Sequence, residues 1–82
     1  MALHNLKTAC KRRLRERGAL ANTVDRWGRA FEAATATGEP FLCPSCFILE
    51  LVGRLLPLPQ RSPGSSAVMC TACRQVIEYV DA

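Results

Sequence analysis

Histidine occurs once in these 82 residues, as His4, and the seven acidic side chains form no evident pair. No glycine-rich stretch offers a cradle for phosphate. A nucleophile with its base, a carboxylate couple and a nucleotide site are therefore all without candidates, and no catalytic activity or small-molecule substrate is expected. Long apolar runs are also missing: nothing approaches the roughly 20 residues of a membrane-spanning helix, so no membrane partner is expected. The first twenty residues are interrupted by Lys7, Lys11, Arg12, Arg13, Arg15 and Arg17, and so lack the apolar centre of a signal peptide. Together with the odd cysteine count, this predicts a cytoplasmic protein with reduced thiols.

Cysteine is what the chain does have. Four of its five cysteines form two pairs, Cys43-Pro44-Ser45-Cys46 and Cys70-Thr71-Ala72-Cys73, separated by 23 residues. A two-residue gap lets both thiolates of one tight turn reach the same ion. The intervening segment is long enough for a strand, a loop and a returning strand that bring the second turn over the first. Such spacing predicts a tetrahedral Cys₄ site for one structural Zn²⁺, with all four positions filled by protein and none open for catalysis. Two disulfides, or buried cysteines with no ligand, are the competing readings. So short a chain cannot bury a large core, and a metal is the staple that physics asks for. Without the ion the second half should unfold.

Positive charge is concentrated at the start. Residues 1–18 carry six Lys/Arg against Glu16 alone, a net of +5, whereas the whole chain is only +4. At 100° per residue Leu3, Leu6, Cys10 and Leu14 share one stripe of a helix, and His4, Lys7, Lys11 and Arg15 are read onto the opposite side. Cys10, on the apolar stripe, reads as a small core residue. A second helix follows, in which Leu20, Val24, Trp27, Phe31 and Ala34 form the buried face. Asn22 is its expected cap and Gly38-Glu39-Pro40 its end, with Asp25 and Arg29 placed for an ion pair. Gly18 predicts a break between the helices, although a heptad alternation continues through it and would suit one long helix and a dimer.

These signals define an α+β small metal-stabilised domain: an N-terminal helical hairpin followed by a C-terminal Cys₄ ribbon. The helical region spans residues 1–38, with helices at about 4–17 and 22–36, and the ribbon spans 41–82. Within the ribbon, residues 47–56 are expected as a strand, 57–66 as a mobile Pro/Ser-rich loop, and 76–80 as the last strand.

The two cysteine turns, each preceded by apolar residues, resemble the knuckles of a zinc ribbon over about residues 41–80. The order of helices first and finger last, with Leu42-Cys43 opening the finger, is similar to DksA/TraR-type regulators of bacterial RNA polymerase. That resemblance implies a zinc finger with Cys43, Cys46, Cys70 and Cys73 as ligands, in a small regulator that can be phage-encoded or carried on a mobile element. The gap between the pairs is longer here, and Ala19 to Thr23 supply no acidic tip between the helices, so only the ligands are carried over. Rubredoxin-like iron sites use the same four thiolates but place glycine after each pair, where Phe47 and Arg74 stand. The expected function is a non-enzymatic regulator within a macromolecular complex, its basic helix contacting nucleic acid through Lys7, Lys11, Arg12 and Arg15. The alternative is an adaptor or inhibitor that docks the same helix on an acidic surface of a host protein, such as the transcription machinery.

Overall fold

The computed structural model describes residues 3–60 and 62–81. Arg61, within the Pro/Ser-rich segment, and Met1, Ala2 and Ala82 at the ends of the two assigned regions lie outside the described residues.

Two helices that touch one another open the chain, α1 (Leu3–Glu16) and α2 (Ala21–Thr37). Gly18 separates them because it adopts φ 81°, a left-handed conformation that a side chain would oppose. The Ala19 N–H donates to Leu14 O and the Gly18 N–H to Arg15 O, both at 3.0 Å, the paired bonds of a Schellman stop. The heptad pattern does not carry a single helix through this point. Asn22 is not the cap of α2: that position is Leu20, which has no side-chain bond to give, and Asn22 lies exposed in the first turn. The chain leaves Gly18 so abruptly that α2 begins before Asn22 is reached. At the other end Gly38 takes φ 77° and closes the helix with its N–H on Ala34 O, as its sequence position suggests. Asp25 and Arg29 form no ion pair among the described residues; the pairs present are Lys7–Glu32 and Arg13–Glu16.

The remainder is a four-stranded antiparallel sheet in the order β1 (Phe41–Leu42), β2 (Arg54–Pro57), β3 (Ser65–Cys70), β4 (Val76–Val80). Residues 47–56 are not one strand. A short helix, α3 (Pro44–Ile48), follows β1, because Pro44 at its first turn presets helical φ and Cys43 occupies its N-cap. The chain then turns through Glu50 at φ 58° before β2 begins at Arg54. The Pro/Ser-rich segment is also shorter than its composition suggests. Pro57 belongs to β2, Ser65 and Ser66 belong to β3, and the Leu58 N–H donates to Ala67 O at 2.9 Å.

Alternation along the strands sets the core. Leu55, Val68 and Ile77 point to one face and are buried, while Leu56 and Val76 on the other face remain exposed. The buried face joins Leu6, Cys10 and Leu14 of α1 and Val24, Trp27 and Phe31 of α2 in a single cluster that also contains Cys43, Cys46 and Cys70. The helical and ribbon regions therefore share one core. Trp27, fully buried, donates its Nε1–H to Leu42 O at 3.0 Å, one residue before the first cysteine. Phe31 extends the contact, stacking on Phe41 at 4.2 Å between ring centroids.

Trp27 thus carries both apolar volume and a polar tie to β1. Trp27→Ala should cost about 3–5 kcal/mol, the range for emptying a buried aromatic site. For a domain of this size that lowers the Tm by more than about 10 °C. Trp27→Phe keeps most of the volume and loses the hydrogen bond, so a smaller drop is expected. Thermal melts of the two variants check the order, and an unchanged Tm for Trp27→Ala would show that α2 is not anchored through this side chain.

Candidate metal centre

The sulfurs of Cys43, Cys46, Cys70 and Cys73 all lie within 4.8 Å of one another. Local structure explains the convergence. Cys43 follows β1 and caps α3, so the two-residue step to Cys46 is a helical turn that aims both sulfurs the same way, with the Phe47 N–H bonded to Cys43 O at 2.9 Å. Cys70 ends β3, and the chain reverses through Thr71–Arg74 to enter β4. The Arg74 N–H donates to Cys70 O at 3.1 Å and the Cys70 N–H to Gln75 O at 3.0 Å, which closes that turn. Arg74 takes φ 60°, the left-handed conformation glycine would adopt without strain.

Across the two turns Cys43 Sγ lies 3.6 Å from Cys73 Sγ, and Cys46 Sγ lies 3.7 Å from Cys70 Sγ. Four thiolates placed tetrahedrally at about 2.3 Å from an ion define edges of about 3.8 Å, so these separations match the donor set of one tetrahedral centre. The Ala72 and Cys73 amides point at Cys70 Sγ, at 3.3 and 3.4 Å, and would support its negative charge. The turns are also tied to each other directly, by the Ser45 hydroxyl donating to Gln75 Oε1 at 2.6 Å.

The thiols differ in their acid–base character. Burial pushes the Cys43 thiol above its ordinary range, and burial, followed by the neighbouring Cys70 and Cys73 thiols, pushes Cys46 up to about 11. Burial acts in the same direction on Cys70, but the Cys73 and Ala72 amides and the adjacent thiols outweigh it and bring that group down to about 7. Cys70 is thus the sulfur most favoured as an anion, beside two buried thiols, Cys43 and Cys46, that hold their protons more tightly than usual. Cys10 stands apart on α1, buried, its thiol raised to about 12 by burial and only slightly opposed by Arg13. It is a core residue, and His4 lies exposed on α1, outside the sulfur cluster.

Gly53 is the residue that reasoning from sequence missed. A Cβ built there would fall 2.5 Å from Cys70 Sγ and 2.6 Å from Cys46 Sγ, with no room to move because both atoms belong to the cluster. Its carbonyl accepts the Cys43 N–H at 2.8 Å, so its backbone is fixed on the opposite side as well. The only available signal was a glycine interrupting an otherwise apolar run. Ser45 and Gln75 carried no signal at all.

The four basic side chains proposed for partner contact differ in exposure, Lys7 and Lys11 being half-buried and Arg12 and Arg15 exposed. Lys7 pairs with Glu32 of α2, whose carboxyl is held below its usual range by that hydrogen bond and by the lysine's charge. The Lys11 stem crosses α2 at Gly28, its Cε 3.1 Å from where a Cβ would stand. Both lysines flank the apolar stripe and lie in the seam between the helices, because Lys7 and Lys11 are only one turn from Leu3 and Leu14. Arg12 and Arg15 are exposed, and among the described residues neither has a carboxylate partner.

No protein-family model matches the chain, and no curated protein or solved structure is significantly similar to it. The likeness to DksA/TraR-type regulators accordingly rests on the order of helices and finger and on Leu42-Cys43 alone.

Gly53→Ala should abolish metal binding while leaving all four ligands in place, since the added methyl occupies the space of two sulfurs. Metal content after gel filtration under reducing conditions checks this, and stoichiometric binding by the variant would contradict the geometry. In the native chain affinity should fall with acidification, because protons compete for Cys43 and Cys46, whose thiols already hold theirs more tightly than usual.

Proposed function

We propose that the ion is one structural Zn²⁺ and that the chain is a non-enzymatic regulator which binds nucleic-acid backbone through α1. Thiolate donors with tetrahedral spacing suit zinc, and a site filled by four cysteines leaves it no position for substrate. The observation that carries the binding reading is the net +5 charge of residues 1–18 on a helix held between α2 and β4, with Arg12 and Arg15 exposed and without carboxylate partners. Such a helix presents cations at fixed spacing, so that little side-chain support has to be ordered when phosphates bind. Lys7 and Lys11 contribute less, being engaged with α2. A reducing compartment such as the cytoplasm fits the free thiols. None of the described helices is long and apolar enough to cross a membrane.

One observation favours a second reading, an adaptor or inhibitor that binds protein. Leu49, Leu51 and Val52 are 67, 58 and 71% exposed in the turn after α3, an apolar cluster that nucleic acid would not cover.

Reversal of Arg12 and Arg15 together to Glu tests the choice. Both are exposed, so metal content and Tm should hardly change, exposed substitutions usually altering stability by no more than about 0.5 kcal/mol. Affinity for a non-specific DNA or RNA should fall, and the native interaction should weaken steeply with added salt. Nucleic-acid binding that survives the reversal would move the contact away from α1. No binding by the native chain at low salt would leave the protein-partner reading.

A further inference from the structure

The four sulfurs are not equivalent. Cys43, Cys46 and Cys70 are 0, 2 and 0% exposed, sealed beneath α1 and the sheet. Cys73 is exposed, in a turn where Thr71, Ala72 and Arg74 are exposed too. Pairing across the turns divides the set again: Cys73 stands 3.6 Å from Cys43, and Cys70 stands 3.7 Å from Cys46 deeper in the core. Cys73 is therefore the one ligand residue on an exposed turn, the side from which a small reagent would approach, and a second sulfur, that of Cys43, lies within contact of it on the other turn. Cys70 is further restrained by the two amides that point at its sulfur.

We propose that Cys73 is an oxidation site, with Cys43 as its resolving partner, through which the metal centre opens. The proposal rests on the four cysteines holding an ion. The oxidant is a peroxide. The Cys73 sulfur attacks one peroxide oxygen, an S–O bond forms and the O–O bond breaks, and the departing oxygen takes up a proton as water. Cys43 then attacks the oxidised sulfur: the S–S bond forms, the S–O bond breaks, and the released hydroxide is protonated to a second water. Each sulfur loses one electron and the peroxide takes up both. Two of the four ligands are then gone, and the remaining pair, Cys46 and Cys70, cannot complete a tetrahedral site.

The product keeps the two turns together. Closing 3.6 Å to the disulfide length of about 2.05 Å links the same segments that the ion linked, thirty residues apart. Oxidation therefore removes the metal without separating β1 from the β3–β4 turn. A chelator, which removes the ion and puts nothing in its place, would not preserve that tie.

The test begins with protein shown by native mass spectrometry to carry one ion per chain. Hydrogen peroxide is added, metal release is followed with a chromogenic chelator, and disulfides are mapped after digestion. Metal should leave in step with a Cys43–Cys73 disulfide, while Cys10, buried in the core, stays unmodified. In untreated protein N-ethylmaleimide should label Cys73 about ten-fold or more faster than the other three ligands. Cys73→Ser should slow peroxide-driven release by a similar factor, and if that variant does not fold the native disulfide map and labelling order decide alone. A Cys70–Cys73 disulfide, or first labelling at Cys43, Cys46 or Cys70, would overturn the assignment. Protein that carries no ion at the outset would instead overturn the metal reading beneath it.

Discussion

Four thiols converge at the hydrophobic core of the described residues, with Cys43, Cys46 and Cys70 inside it and Cys73 at its edge, and that convergence constrains what surrounds it. Three of the four cysteines are among the best-buried of the described residues, yet a cluster of polar thiols is a poor substitute for hydrocarbon packing. A cation reverses the sign of that contribution. Structural zinc in small cysteine sites is worth roughly 10–16 kcal/mol, which equals or exceeds the whole stability of an ordinary domain. Gly53 shows how tightly the space is drawn: the backbone passes so close to two sulfurs that no side chain fits.

The helical region is built onto this centre and does not stand beside it. Trp27 bonds the carbonyl of Leu42, Phe31 stacks on Phe41, and α1 packs on α3, the short helix that holds Cys46. α1 is thus held by β4, α2 and the short helix of the first cysteine turn together, so that turn is one of the supports that fix where Arg12 and Arg15 stand. Metal binding and any recognition by α1 are coupled through shared packing, with no separate signalling element needed.

Much of this was legible in the residues. Cysteine spacing identified the cluster, since two matching gaps leave little else for the thiols to do together. The periodicities of Leu6, Cys10 and Leu14 and of Val24, Trp27 and Phe31 identified the buried faces, although Leu20, read onto the second face, is the exposed N-cap of α2, and Gly18 marked the turn between helices. What failed were features set by three-dimensional closure. The apolar run 47–56 looked like a strand because hydrophobicity alone does not separate a buried helix turn from a strand, and Pro44 at an N1 position was the overlooked sign. Lys7 and Lys11 looked like part of an open cationic face. They lie in the helix seam because charged heads on long stems sit readily beside an apolar stripe, and Glu32 and Gly28 of α2 received them. Gly53 could not be recognised before the sulfurs were placed.

The account stands on one ion organising one core. Native mass spectrometry of the chain purified under reducing conditions, with circular dichroism recorded as a strong chelator is added, tests it most directly. One zinc per chain is predicted, with helix and sheet signals lost together as the ion is withdrawn, because both regions share the core that contains the ligands. A cooperatively folded, metal-free chain with all its cysteines reduced would contradict it.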